Sequence, residues 1–170
     1  MKNIFLIGFI KEDLSIVGQA LCEKLDFFYL NAEEMIEYSL VRKNHEIKEI
    51  CGIDYLNQEE KKVIYSLNGF ERTVVSMGYE TFINNFEAIS SSNVIIYLRQ
   101  TKGKFLKRVE NLIKSGIEND NLNNYLINEI VYDQRDKLLK KNCSLTIKYD
   151  ISKLNEIISE IEKQLENVWN

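Results

Sequence analysis

Residues 8–18, GFIKEDLSIVG, contain both the parts of a phosphate site and the parts that would spoil one. A strand ending at Gly8, a hydroxyl at Ser15 and a small residue at Gly18 suit a loop whose backbone N–H groups wrap phosphate at a helix N-terminus. Lys11 and Asp13 stand where further glycines would be needed, and Leu14 stands where a lysine would bridge the outer phosphates. A carboxylate at 12 or 13 opposes a phosphate: like unit charges ~4 Å apart repel by roughly 4 kcal/mol at an effective dielectric near 20. Lys11 is a substitute cation, but it lies before the turn. Asp13 reads instead as the N-cap of a helix beginning near Leu14, so that the chain supplies its own anion to the helix terminus.

The surrounding elements must position these groups. NIFLI (3–7), FFYL (27–30), RTVVSM (72–77), NVIIYL (93–98) and CSLTIKY (143–149) read as strands, several of them apolar on both faces. Helical spacing marks 14–25, 33–42, 55–67, 102–115, 122–140 and 152–168, the last with Ser152 as N-cap. Strands alternating with helices imply a three-layer α/β/α sandwich on a five-stranded parallel sheet. Ligands of such sheets sit at the carboxyl ends of the strands, so the loops after residues 7, 30 and 77 are the places to inspect.

The 170 residues favour one domain. The net charge is −4 with scattered basic residues, which argues against nucleic acid as partner. No run approaches the roughly 18–20 apolar residues of a membrane span, and NIFLI reads as a buried strand rather than a signal peptide. Cys22, Cys51 and Cys143 are far apart and form no CxxC, as expected of reduced structural thiols in the cytoplasm. His45 is the only histidine and reads as a solvated residue at a helix start.

Five segments, in order, carry a family resemblance: IFLIGFIKEDLSIVGQAL, FYLNAEEMIE, VVSMGYE, VIIYLRQTKGKFLKR and RDKLLKKNCSLTIKYD. Together they resemble shikimate kinase, a P-loop small-molecule kinase, nearly end to end. The resemblance implies a shikimate kinase-like P-loop topology over 1–170. Within it fall a phosphate loop at 8–15, substrate-domain helices at 31–67 and a lid at 109–134. It also implies transfer of the ATP γ-phosphate, with magnesium, to the 3-hydroxyl of shikimate, a step of aromatic amino acid biosynthesis.

Carried over position by position, the resemblance leaves a vestigial site. Gly8, Ser15 and Arg108 fall at nucleotide positions, with the Ser15 hydroxyl as the magnesium ligand of an active enzyme. Asn31 stands at a magnesium-associated aspartate, and Glu33 at an aspartate that orients the substrate ring. Asn57 aligns with the arginine that clamps the substrate carboxylate, which an amide cannot replace bidentately. Gly78 alone remains of three glycines, with Tyr79 and Glu80 in the space of substrate approach. Arg135 and Lys140 retain substrate-side cations; Arg135 also has Asp133 and Asp136 within reach, and Arg108 also reads as a surface helix residue.

These departures point to a non-catalytic pseudokinase of this fold, needing no cofactor and acting through a protein partner, a homo-oligomer or another ligand. The alternative is an active or impaired shikimate kinase that uses ATP and magnesium. Tyr125, Ile130 and Tyr132 make the helix at 122–140 a candidate interaction surface, with packing over a vacated site as the competing reading.

Overall fold

The computed structural model describes residues 3–89, 91–116 and 129–169. Five parallel strands form one sheet in the order β2-β3-β1-β4-β5: β1 Ile4–Gly8, β2 Phe28–Asn31, β3 Thr73–Gly78, β4 Val94–Arg99 and β5 Leu145–Lys148. The central strands β1 and β3 are buried throughout, whereas edge strand β5 buries only one of its four residues. Helices cover both faces of the centre, which is why its strands are nearly continuous apolar runs.

Alternate residues of β1 enter opposite layers. Ile4 and Leu6 pack with Val17 and Leu21 of α1 (Lys11–Leu25) and Ile157, Ile161 and Leu165 of the C-terminal helix α8 (Leu154–Trp169). Phe5 and Ile7 pack with Ile64 and Leu67 of α4 (Ile53–Leu67) and Phe82 of α5 (Tyr79–Asn85). A smaller cluster joins Ile36 of α2 (Ala32–Leu40), Ile47 of α3 (Asn44–Cys51) and Leu56 of α4. Beyond the carboxyl ends of the strands, Ile10 packs with Phe105 and Val109 of α6 (Lys102–Lys114) and Tyr132 of α7 (Glu129–Asn142).

At the amino edge of the sheet, the Asn3 side chain donates to the carbonyls of Leu67 and Phe70 and accepts from the Thr73 N–H. Near the same edge, Trp169 stacks on Phe27, whose other neighbour is the Arg72 guanidinium. The three cysteines are free, and burial raises the Cys22 thiol to about 11 and the Cys143 thiol to about 12. Among the described residues, no helix is long and apolar enough to cross a membrane.

Several boundaries differ from the sequence expectation. α1 begins at Lys11 rather than near Leu14, because the extended Ile10 serves as N-cap and the Leu14 N–H already bonds to the Ile10 carbonyl at 3.2 Å. Asp13 is therefore not the N-cap. Ser152 is not a cap either: it lies in a 3-10 turn, and both its N–H and its hydroxyl donate to the Asp150 carboxylate. The polar helix α3 and the short α5 were not anticipated, and exposed His45 is the second residue of α3. Residues 122–128 of the expected long helix, with Tyr125, and residues 117–128 of the lid-like stretch lie outside the described residues.

At Gly18, α1 lies tightly against a side chain of the sheet: a methyl there would lie 2.5 Å from Cε2 of Tyr29, whose hydroxyl is tied to Ser15 and Ser76. Gly18→Ala should cost about 1–3 kcal/mol in denaturant unfolding. Gly103→Ala, in the exposed first turn of α6 with nothing near the added methyl, should be neutral or stabilise by up to about 1 kcal/mol.

Candidate functional site

Only Phe9 and Ile10 separate β1 from α1. Gly8 ends β1 opposite Gly78 of β3, and the buried Leu14 side chain packs over Gly8, leaving 3.2 Å to a methyl placed there. The Phe9 ring lies within 5.3–5.9 Å of Tyr79, Tyr97, Phe105 and Tyr132. Aromatic rings thus pack together at the carboxyl end of the central strands. Ser15 does not face this region freely, since its hydroxyl accepts from Tyr29 at 3.1 Å, and Tyr29 shares a 2.6 Å hydrogen bond with Ser76.

The fully buried Asp13 (0% exposed) points inward from the first turn of α1. One carboxylate oxygen accepts from Arg108 Nη2 at 3.1 Å and the other from the Tyr149 hydroxyl at 2.9 Å. Burial, followed by the charge of Asp13, pushes the Tyr149 hydroxyl far above the ordinary tyrosine value, so it remains a donor. Arg108 is consequently not a plain surface residue; its guanidinium belongs to this internal pair.

A second group surrounds Glu33. Its Oε1 accepts from the Gly78 N–H at 2.7 Å and lies 3.6 Å from the Lys11 ammonium. Asn31 caps α2 by accepting from the Glu34 N–H, and Asn57 lies half-buried on α4. Glu60, one turn beyond Asn57, is buried and accepts from the Asn85 amide at 3.3 Å. Burial raises its pKa; the Asn85 hydrogen bond offsets part of that rise, and the nearby charge of Glu33 adds to it. Glu60 escaped the sequence reading because QEEKK looks like a solvated face. Its spacing with Leu56 and Ile64 was the available signal, since i and i+4 positions share a helix face.

The third group centres on Asp136. Arg99 binds both its oxygens, at 2.7 and 3.1 Å, while Lys140 adds a bond at 2.6 Å and the Tyr97 hydroxyl one at 2.9 Å. Burial raises the carboxyl's pKa, but the hydrogen bonds from Arg99, Lys140 and Tyr97 outweigh it and hold the group below the ordinary aspartate range. Arg135 pairs with Glu80 rather than Asp133 or Asp136, its guanidinium 4.5 Å from the Tyr79 ring centre. Tyr132 is not part of an interaction surface: it is 1% exposed and donates to the Gln100 carbonyl, whereas Ile130 is 63% exposed. Sequence reading offered Asp136 only as a neighbour of Arg135 and assigned no role to Arg99 or Tyr149, whose carboxylate partners lie 37 and 136 residues away along the chain.

The structure thus gathers Lys11, Glu33 and Gly78 in one group and Asp13 and Arg108 in another. Lys140 joins Asp136, and Arg135 joins Glu80. Among the described residues, no three His, Cys, Asp or Glu side chains are placed to hold a metal ion.

Sheet order, flanking helices and the position of this region at the strand ends define a P-loop kinase fold. The family model described as Shikimate kinase matches residues 15–166, and the chain belongs to the shikimate kinase family. A shikimate kinase of Sulfurihydrogenibium sp. is 31% identical over 125 residues, covering 69% of this chain and 75% of that one. Two solved structures share the fold at 19% identity. The shikimate kinase from Acinetobacter baumannii in complex with shikimate has a TM-score of 0.80 and covers 98% of this chain and 94% of its own. That from Bacteroides thetaiotaomicron has a TM-score of 0.78 and covers 97% and 98%.

Asp136→Asn should destabilise the protein by about 2–3 kcal/mol at neutral pH, measured by denaturant unfolding. That is the low end for a lost buried carboxylate, because Lys140 is 45% exposed and screened. A lowered folded pKa contributes stability that is present above the ordinary aspartate value of 3.8 and is lost as pH falls through the folded value. The substitution should therefore flatten the stability profile below pH 3.8.

Proposed function

We propose that this chain is a cytoplasmic member of the shikimate kinase family that does not transfer phosphate and acts through contacts with a protein or a non-nucleotide ligand. The observation that carries the reading is the start of α1 at Lys11, after a connection of only two residues from β1. A phosphate loop presents its N–H groups to the ligand, but here the Leu14 N–H is already bonded within the helix. At the position where a lysine would meet phosphate, an apolar side chain is buried over Gly8.

ATP with magnesium does not fit the residues present. The Ser15 hydroxyl is bonded to Tyr29, Arg108 is paired with Asp13, and Lys11, in the first turn itself, lies beside Glu33. On the substrate side, Asn57 offers no charged clamp for a carboxylate, and Arg135 and Lys140 are paired with Glu80 and Asp136. Phosphoryl transfer depends on positioned charge, and each lost donor costs ~3 kcal/mol of transition-state stabilisation.

The second reading is an active or impaired shikimate kinase transferring the ATP γ-phosphate to the shikimate 3-hydroxyl. It is favoured by the names of the relatives, and by Glu33, whose carboxylate lies beside Gly78 at the strand ends.

Titration of the protein with ATP–Mg, with and without shikimate, separates the two readings. Nucleotide at 100 times its dissociation constant would stabilise the fold by about 2.7 kcal/mol. The expected result is no thermal shift at millimolar nucleotide and no shikimate-dependent ADP release. Turnover of shikimate establishes the second reading.

A further inference from the structure

Asp13, Arg108 and Tyr149 come from three elements that only the folded chain brings together: the first turn of α1, the middle of α6 and the turn after β5. The carboxylate has one donor on each oxygen, and its side chain has almost no contact with solvent. The Arg108 fork is only partly used: Nη2 meets Asp13, while Nε is buried and makes no hydrogen bond among the described residues. A guanidinium normally engages an oxyanion through two parallel N–H groups, so this one retains capacity for a differently placed acceptor.

We propose that the Asp13 carboxylate is a built-in oxyanion, an autoinhibitory contact. It occupies a cradle made by Arg108 and Tyr149, and so holds α6 and the turn after β5 closed onto α1 with nothing bound. An external oxyanion reaches these donors only by displacing Asp13, whose own charge repels it. The inference rests on the preceding reading only in taking no phosphate to be held at this place; its subject is what fills the cradle instead. The exclusion is electrostatic as well as steric. Replacing the carboxylate by an apolar group leaves a half-buried cation and a half-buried hydroxyl without that acceptor, which a small carboxylate from solution can supply.

Asp13→Ala in the full chain removes a carboxyl group and leaves a space of that size facing Arg108 and Tyr149. Formate has the same charged group and is the probe. The variant should melt roughly 5–10 °C below the parent. About 100 mM sodium formate should recover more than half of the loss, whereas sodium chloride at equal ionic strength should not. The parent protein and Asp13→Asn, whose cradles are filled, should show no formate-specific shift. The double variant Asp13→Ala/Arg108→Gln should lose the response.

A formate effect no larger than that of chloride, or one that survives loss of Arg108, overturns the proposal. Should Asp13→Ala fail to fold, amide exchange in Asp13→Asn decides. Faster exchange in α6 and in residues 149–153 relative to β1 is expected, and unchanged protection overturns the closure. These outcomes are separable from the nucleotide titration. A formate-insensitive variant sinks the built-in oxyanion and leaves the non-catalytic reading standing, whereas nucleotide turnover by the parent chain sinks the latter directly.

Discussion

A carboxylate withdrawn from water costs several kcal/mol unless donors surround it, and the architecture at the strand ends is built around that constraint at Asp13. The residue sits in the first turn of the helix that follows the central strand. Neutralising it recruits one side chain from α6 and one from the turn after β5. Position along the helix adds to the effect, because a negative group in the first turn complements the macrodipole. Three segments remote in sequence are thereby held to a common point, and the start of α1 leaves two residues for the connection from β1.

The same solution recurs around the crevice. Lys11 meets Glu33, Arg135 meets Glu80, and Arg99 and Lys140 converge on Asp136. Each of these four cations has a carboxylate of the same chain as counter-ion. Phe9 and its ring neighbours fill the adjoining apolar space. A site that neutralises itself needs no anionic ligand to be stable.

Strands were legible in the sequence to within a residue or two because the central ones are apolar on both faces, a pattern that survives without knowledge of neighbours. Their order followed from the resemblance, which the family match and the sheet topology bear out. The start of α1 was not legible: Ile10 caps through its backbone, with no side-chain hydrogen bond, so nothing in IKED announces it. α3 was missed because its eight residues bury only Ile47. Asp13 was recognised as an internal anion, but its role as cap was wrong, because its donors lie 95 and 136 residues away. Arg135 was offered its sequence neighbours and took Glu80 instead. Local chemistry names the charges; only tertiary structure assigns the pairs.

Trp169 is the sole tryptophan, and it stacks on Phe27 where the chain enters β2, at the amino edge of the sheet. The groups discussed above gather at the carboxyl edge. Intrinsic emission excited at the red edge of the absorption band therefore reports the seating of the last turn of α8. It is a built-in optical probe of fraying at the C-terminus, and it is insensitive to events at the opposite rim.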